Sequence, residues 1–276
     1  MPRGNSKRPK LGQNFLVSPN AQIAIADALG DVTHRTVVEI GPGRGAITAI
    51  LAARAHRLIA LELDRELAPR LRDQFSGRPS VTILEQDILA SDFASLRSAG
   101  EDKLTVIGNL PYYITSDILL HLFSAHQHID RAVLMIQREV ADRVAASPGT
   151  RDYGLLSATT QLYARVEKLF TLPPGAFSPP PQVHSTVLRL TMSPRFDELG
   201  LIPRPDRPDP ASAFIALLRA GFAQKRKMLA KNLRTAGYDA GPIAAAFEAC
   251  GIPPQSRAEQ IDLAAMACLF HRLTIR

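Results

Sequence analysis

Short apolar runs alternate with amphipathic stretches over the first two thirds of the chain. Strands are predicted at 36–40, 57–63, 80–84, 103–107, 131–136, 165–171 and 184–191, and helices near 45–55, 65–75, 115–125, 138–146 and 154–163. The strand segments are mostly continuous in their apolar character, which is typical of strands buried on both faces. Strands and helices that alternate at this spacing predict an α/β fold, in which a doubly wound parallel sheet carries helices on both faces.

The pattern changes near residue 192. Residues 192–210 contain five prolines and few strand formers, so we interpret them as a linker. Apolar residues between 214 and 222 then recur at helical spacing, and every later signal is helical. We therefore expect a mixed α/β domain over 1–192 and a small all-helical domain over 193–276.

Composition narrows the class of protein. Hydrophobic residues make up 46% of the chain and charged residues 21%, as in ordinary soluble globular proteins. No apolar run approaches the ~20 residues that a membrane-spanning helix needs. The first ten residues have no apolar stretch behind their charges, so we expect no secretory signal and a cytoplasmic location.

The chain has two cysteines and seven histidines. Cys250 and Cys268 lie in apolar surroundings, and without a secretory signal we expect two buried thiols rather than a disulfide. The histidines are scattered, and none of them has a Cys or carboxylate at the spacing of metal ligands. We therefore expect no metal site.

The net charge of +7 is concentrated in two blocks that contain no acidic residue. Residues 1–26 carry Arg3, Lys7, Arg8 and Lys10, and residues 219–234 carry Arg219, Lys225, Arg226, Lys227, Lys231 and Arg234. Two distant basic blocks suit a polyanion that contacts the protein in several places. The alternative for either block alone is a solvated helix face. We interpret 225–234 as a basic helix, with Lys227, Lys231 and Arg234 on one face.

The strand at 36–40 runs into Gly41-Pro42-Gly43-Arg44-Gly45, with Glu39 before it. Glycines allow the backbone to turn sharply and to approach a ligand closely. Glu62 ends the next strand, where it suits ribose hydroxyls, and Asp87 follows the third strand, where it suits an adenine amino group. Together they indicate an adenosine-containing cofactor. The glycine spacing differs from that of dinucleotide binders and favours S-adenosylmethionine over NAD, although Arg65 leaves a 2′-phosphate site open.

The strand at 103–107 leads into Asn109-Leu110-Pro111-Tyr112. An exocyclic amine on a base is a poor nucleophile, because its lone pair is drawn into the ring. The Asn109 side-chain carbonyl and the Leu110 backbone carbonyl can accept its two N–H groups and aim the lone pair at a methyl donor. Pro111 fixes the turn, and Tyr112 and Phe177 offer faces for the base to stack on. A plain turn after a strand is the alternative.

Six segments of the sequence resemble the ribosomal RNA adenine N6,N6-dimethyltransferases, and especially the bacterial small-subunit enzymes. The segments are 10–16, 38–43, 109–112, 137–141, 177–183 and 222–227. The resemblance implies a Rossmann-like methyltransferase sheet and S-adenosylmethionine as methyl donor. It implies cofactor contacts from Asn14, Leu16, Gly41, Glu62, Asp87 and Asn109, and target-base contacts from Asn109, Tyr112 and Phe177. It also implies a substrate, two adjacent adenines in the hairpin loop near the 3′ end of small-subunit rRNA, each methylated twice.

The sequence is compatible with three alternatives. Relatives that methylate one adenine of large-subunit rRNA share the glycine loop and the tetrapeptide, but 177–183 and 222–227 look more like the small-subunit enzyme. Protein-glutamine methyltransferases use an Asn-Pro-Pro-Tyr turn, whereas this chain has Leu110. A binding protein without turnover would not need Asn109 and Tyr112. We expect a monomer that acts on the immature small subunit and makes no membrane contact.

Overall fold

The computed structural model describes residues 14–98 and 100–274. The elements, in chain order, are β1 (Phe15–Leu16), α1 (Pro19–Asp27), β2 (Thr36–Ile40), α2 (Ala46–Leu51), β3 (Arg57–Glu62), α3 (Leu67–Gln74), β4 (Val81–Glu85), α4 (Phe93–Leu96), β5 (Leu104–Asn109), α5 (Thr115–Ser124), β6 (Ile129–Gln137), α6 (Arg138–Val144), α7 (Leu155–Tyr163), β7 (Ala164–Leu172), β8 (Phe177–Ser178), β9 (Ser185–Met192), α8 (Pro210–Gly221), α9 (Leu229–Thr235), α10 (Ala240–Ala249) and α11 (Leu263–Thr274). The predicted strands are confirmed to within one or two residues at most ends. The part of the resemblance that falls on residues 10–13 lies outside the described residues.

Seven strands form one sheet in the order β4-β3-β2-β5-β6-β9-β7. The first five are parallel, whereas β9 runs antiparallel to both β6 and β7. The predicted parallel sheet is therefore confirmed for the five strands β2 to β6, and the two further predicted strands, β7 and β9, extend it with β9 in the antiparallel direction. The physical reason is the connection 173–184 between β7 and β9, which carries no α-helix to return the chain to the opposite edge.

Helices cover both faces of the sheet, as the doubly wound fold requires. On one face α1, α2 and α3 bury residues such as Ile25, Leu51 and Leu71 against the strands. On the other face α5 and α6 bury residues such as Leu122 and Val144. Because both faces are covered, the parallel strands leave only their ends accessible to a ligand.

The C-terminal helices form a third hydrophobic core. Phe214 of α8, Leu233 of α9 and Phe270 of α11 are buried in it. The same core also contains Tyr153 and Leu162, which precede the predicted boundary at residue 192. The chain therefore changes to an all-helical region after β9, and the division at 192 stays a prediction.

The predicted basic helix over 225–234 is wrong in its first half. Residues 222–228 form a turn, and α9 begins only at Leu229. The Asn232 side-chain amide holds this turn by donating to the Gly221 carbonyl at 2.6 Å and to the Gln224 carbonyl at 3.2 Å. A Cβ on Gly221 would lie 2.9 Å from a Leu229 methyl carbon, so the missing side chain makes room for the chain to fold back.

The five predicted RNA-binding residues are consequently divided between two elements. Lys225, Arg226 and Lys227 lie on the turn, and Lys231 and Arg234 lie on α9. All five are exposed. The turn also rests on the chain that follows α6, since Lys225 Nζ donates to the backbone carbonyl of residue 151 at 2.6 Å. A basic surface therefore remains, but it is not one helix face.

The start of the last helix also differs from the sequence pattern. The spacing of Ser256 and Glu259 predicts a capping box there. In the structure Ser256 is buried, and its carbonyl accepts from Leu229 N at 2.8 Å. Asp262 instead accepts from Ala265 N at 2.8 Å and precedes the first residue of α11. Ser256 is thus engaged in a tertiary contact with Leu229 and does not cap the last helix, although the local sequence pattern predicts that it does.

The expectation of two free thiols is wrong. Cys250, directly after α10, and Cys268, within α11, form a disulfide with their Cα atoms 5.8 Å apart. The two helices pack side by side in the C-terminal core, which brings these cysteines within the range that a disulfide needs. Spacing along the sequence carries no information about this approach.

Candidate active site

Strands β2, β3, β4 and β5 are parallel, so the segments that follow them meet at one edge of the sheet. There they line a cavity of about 900 Å³, part of which is open to solvent. Its wall includes the predicted residues Asn14, Gly41, Gly43, Glu62, Asp87, Asn109, Leu110, Pro111 and Tyr112. It also includes Tyr113, which follows the tetrapeptide, and four residues that the sequence pattern did not indicate, Phe15, Leu63, Gln86 and Ile88.

The glycine loop after β2 is tightly packed against β1. Gly41, Gly43 and Gly45 have φ angles of 64°, 60° and 80°, in the left-handed region that favours glycine. A Cβ on Gly43 would lie 3.1 Å from the Phe15 ring. The Arg44 guanidinium lies over the same ring, 4.3 Å from its centroid. The loop therefore forms a backbone-lined cradle that a side chain would fill, which suits a bound cofactor.

Glu62 connects this loop to the end of β3. Its Oε2 accepts from Gly43 N at 3.0 Å and its Oε1 accepts from Asp64 N at 2.9 Å. Burial raises the pKa of Glu62, and the hydrogen bonds from Asp64 and Gly43 partly offset that rise. Each carboxylate oxygen keeps a further lone pair, so Glu62 can shape the loop and still accept from a ligand hydroxyl.

Glu39 lies beneath the loop and does not line the cavity. It is 3% exposed, and its burial raises its pKa to about 7, with a further rise from Glu62 and an opposing effect of the Thr48 hydroxyl. The Thr48 hydroxyl is near, but neither it nor Glu39 Oε2 has a partner in hydrogen-bonding geometry among the described residues. Two buried polar atoms are thus unsatisfied directly under the cradle.

Asn109 ends β5 with its side-chain amide already oriented. Its Nδ2 donates to the Asn14 backbone carbonyl at 3.2 Å, which leaves Oδ1 as the acceptor. Gly108 allows β5 to approach β2, since a Cβ there would lie 3.0 Å from the Ile40 carbonyl oxygen. Leu110 N donates to Met135 O at 3.0 Å, and no donor of the described residues reaches the Leu110 carbonyl. Two free acceptors therefore follow one another at this strand end.

The rest of the tetrapeptide is fixed by hydrogen bonds from both sides. The Tyr112 hydroxyl lies 3.1 Å from Ser185 Oγ on β9. Thr115 Oγ1, at the start of α5, donates to the Pro111 carbonyl at 3.1 Å. At the opposite part of the cavity, Asp87 Oδ1 accepts from Leu89 N at 2.9 Å, so this carboxylate is also held in place.

Two predicted site residues do not reach the cavity wall. Leu16 and Phe177 pair with each other in the two-stranded sheet of β1 and β8. They are 8% and 4% exposed, and both belong to the core on the α1 side of the sheet. The ring of Phe177 therefore has no open face to offer a base, and its stacking role stays a prediction that this packing does not support.

Within residues 14–98 and 100–274 no helix has both the length and the apolar character needed to cross a bilayer. The same residues contain no group of three or more His, Cys, Asp or Glu side chains arranged to hold a metal ion.

A Rossmann-like sheet with a glycine cradle and strand-end acids at its carboxyl edge defines an α/β protein of the nucleotide-binding class. A family model described as ribosomal RNA adenine dimethylase matches residues 4–274, and the chain belongs to this family. A protein of Acidobacterium capsulatum named ribosomal RNA small subunit methyltransferase A is 60% identical over 98% of this chain and 92% of its own length.

Two solved structures resemble the whole chain. A dimethyladenosine transferase from Plasmodium falciparum superposes with a TM-score of 0.76 at 22% identity, covering 92% of this chain and 95% of the other. The 23S rRNA methyltransferase ErmE superposes with a TM-score of 0.68 at 25% identity, covering 95% and 100%. The first likeness supports the fold, with its sheet and C-terminal helices.

Proposed function

We propose that the chain transfers methyl groups from S-adenosylmethionine to the N6 amino groups of two adjacent adenines in the 3′-terminal hairpin loop of small-subunit rRNA, giving N6,N6-dimethyladenosines. The observation that carries this is the pair of unoccupied acceptors at the end of β5, the Asn109 side-chain oxygen and the Leu110 carbonyl. The family and the small-subunit name of the Acidobacterium relative support adenine in this rRNA as the target.

The residues that line the cavity suit S-adenosylmethionine as its ligand. The cradle of Gly41 and Gly43 would hold its amino-acid part, Glu62 its ribose hydroxyls and Asp87 its adenine amino group, with Asn14 at the side of Asn109. Leu16, behind the wall, would support this end of β1 rather than contact the ligand. When bound, the cofactor supplies an electrophilic methyl group on a sulfonium.

The two acceptors would activate the amine. In the first transfer Asn109 Oδ1 and the Leu110 carbonyl would accept one N–H each, so that the nitrogen becomes more tetrahedral and its lone pair is available to the methyl donor. In the second transfer the nitrogen keeps one N–H, which one of the two oxygens would accept. Positive charge would develop on the nitrogen as it takes the methyl group from the sulfonium, and both oxygens would stabilise that charge. One proton then leaves the nitrogen for solvent. Tyr112, its hydroxyl held by Ser185, offers a fixed face to the target base.

The basic surfaces would hold the RNA outside the cavity. Lys225, Arg226, Lys227, Lys231 and Arg234 are exposed on the turn and on α9, where they can contact phosphates. We infer that residues 1–192, with a basic arm at 1–17, form the catalytic domain and that 193–276 form the RNA-binding domain. The protein would act as a monomer on immature 30S subunits in the cytoplasm, without membrane contact.

One labelling experiment tests this function. The protein is incubated with tritiated S-adenosylmethionine and either unmethylated small subunits or large subunits, and the nucleosides of the RNA are then separated. We expect labelled dimethyladenosine from the small subunit only. Because ErmE, a 23S rRNA methyltransferase, is 25% identical, label in the large subunit is the outcome that would replace this proposal with the second candidate. Label in protein, or none, contradicts both.

A further inference from the structure

Tyr113 is the most exposed of the large apolar side chains that the structure describes, with 64% of its surface accessible. It nevertheless lines the cavity, next to Tyr112. Its hydroxyl has no hydrogen-bond partner within the described ranges. An aromatic ring at the mouth of a binding cavity, open on its face and free at its hydroxyl, is available to a ligand.

The backbone that carries this ring is fixed. Tyr113 is the middle residue of a 3₁₀ turn over Tyr112–Ile114. The Pro111 carbonyl accepts both from Ile114 N at 3.3 Å and from Thr115 Oγ1 at 3.1 Å. An exposed ring on a backbone held at both ends loses little conformational freedom when a partner stacks on it. Tyr113 is therefore a rigid platform rather than part of a loose loop.

The position of Tyr113 favours the RNA over the cofactor. The cofactor side of the cavity has its own exposed apolar residue, Leu63, which directly follows Glu62. Tyr113 instead follows Tyr112, on the side of the two carbonyl acceptors for the amine. Successive residues of a 3₁₀ turn point about 120° apart, so the two rings face different directions from one backbone. Tyr112 faces the buried Ser185, and Tyr113 faces outwards at the cavity mouth.

We propose that Tyr113 is a positioning residue that stacks on the RNA base adjacent to the target base. This rests on the proposed function, because an RNA chain whose target base lies in the cavity must have the adjacent nucleotides at the cavity mouth. An aromatic face accepts any base, and one base stack contributes about 1–3 kcal/mol to binding of single-stranded nucleic acid. Tyr113 thus keeps the adjacent nucleotide unstacked from the target while the target base is in the cavity.

Steady-state kinetics with unmethylated small subunits test this role. We compare the wild type with Tyr113→Ala, Tyr113→Leu and Tyr113→Phe, and use Leu120→Ala on α5 as the control, because Leu120 is exposed but does not line the cavity. Losing one stack should raise the KM for subunits about tenfold in the Ala and Leu variants. The Phe variant and the control should match the wild type. The kcat and the Kd for S-adenosylmethionine should stay within about twofold throughout.

Each other result contradicts the proposal. An unchanged KM in Tyr113→Ala would mean that Tyr113 does not contact the RNA. An unchanged KM in Tyr113→Leu would mean that an apolar side chain is enough for RNA binding and that stacking is not needed. A tenfold weaker Kd for S-adenosylmethionine would assign Tyr113 to the cofactor instead. Thermal melting checks that the variants are folded. If the wild type itself leaves the small subunit unlabelled, the proposed function is wrong, and this failure is visible without any variant.

Discussion

The two polar atoms of the Asn109 side-chain amide have different roles. The nitrogen holds the Asn14 carbonyl, and the oxygen is left for the substrate amine. In Glu62, by contrast, both carboxylate oxygens have the same role, since each accepts a backbone N–H from the loop segments around the proposed cofactor site. The two side chains line one cavity, but the contacts predict that their loss affects different steps.

Asn109→Ala should abolish most methyl transfer while S-adenosylmethionine still binds. Loss of one acceptor that acts on the developing charge costs about 10²- to 10³-fold in kcat. Loss of the single hydrogen bond to Asn14 should weaken cofactor binding by only about fivefold. Glu62→Ala, which releases the glycine loop, should weaken binding more. Calorimetric titration and single-turnover kinetics separate the two effects, and equal loss of binding in both variants would refute the role of Asn109.

Glu39 predicts a pH-dependent stability. Its pKa rises from 4.5 to about 7 because of burial, so the folded state keeps this proton to a higher pH than the unfolded state does. Below pH 4.5 both states are protonated and the residue has no effect. As the pH rises from 4.5 through 7, the free energy of unfolding falls by an amount on the order of 3 kcal/mol, and it is constant above that range.

Glu39→Gln removes this titration. The variant should therefore be more stable than the wild type at pH 8, and the difference should shrink as the pH falls to 5. Urea unfolding at the two pH values measures it. Glu248→Gln, at an exposed position on α10, is the control for loss of one acidic group. A difference in stability between variant and wild type that is the same at both pH values would rule out the buried carboxyl as its source.

The location of individual site residues was predictable where a polar side chain stands at the end of a predicted parallel strand. Asn109, Glu62 and Asp87 line the cavity because parallel strands end at one edge. The burial of Phe177 was not predictable, because it depends on the pairing of β1 with β8, two strands of two residues each. The exposure of the Tyr113 ring was not predictable either, because exposure beside a cavity has no signature in sequence.

At the scale of elements, the glycine loop works only with β1 packed on it. Gly43 has a positive φ angle, and the space a Cβ would take is bounded by the Phe15 ring. Phe15 in turn lies under Arg44, so loop and strand constrain each other. A side chain at position 43 would therefore strain the backbone and also displace β1.

Gly43→Ala should lower the free energy of unfolding by about 1–2 kcal/mol, the cost of a side chain in the left-handed region. The Kd for S-adenosylmethionine should rise more than the stability loss explains, because Phe15 must move. Gly77→Ala is the matched control, since a Cβ there has no atom within 4 Å. Phe15→Leu in the Gly43→Ala background should restore part of the binding. Additive effects of the two substitutions would contradict the contact.

Elements with a strong local pattern were predicted well, and those decided by tertiary contacts were not. Strands β2 to β6 follow from continuous apolar runs. The segment 225–234 was predicted as a helix because its basic residues fall on one helical face. The Asn232 side chain and the packing of Leu229 on Gly221 instead stop α8 and delay α9. The disulfide of Cys250 and Cys268 likewise depends on how α10 and α11 pack.

At the scale of the whole molecule, the basic surface lies in a different region from the cavity that the base enters. The exposed turn and α9 belong to the C-terminal core, while the cavity lies at the carboxyl edge of the sheet. The two regions meet through the chain after α6, where Lys225 is bound to the backbone of residue 151. RNA affinity should therefore depend on charges outside the cavity, and methyl transfer on groups within it.

Lys227→Glu with Lys231→Glu should weaken association with small-subunit RNA at least about tenfold at low salt and flatten its salt dependence. Each lost phosphate contact reduces the slope of log K against log salt concentration by about one. The matched control is Lys103→Glu with Arg165→Glu, which makes the same charge change at the opposite, amino edge of the sheet. That control should leave the slope unchanged, because neither position adjoins the cavity or the turn. Filter binding over a salt series measures both, and equal slopes in the two double variants would mean that net charge, rather than this surface, attracts the RNA.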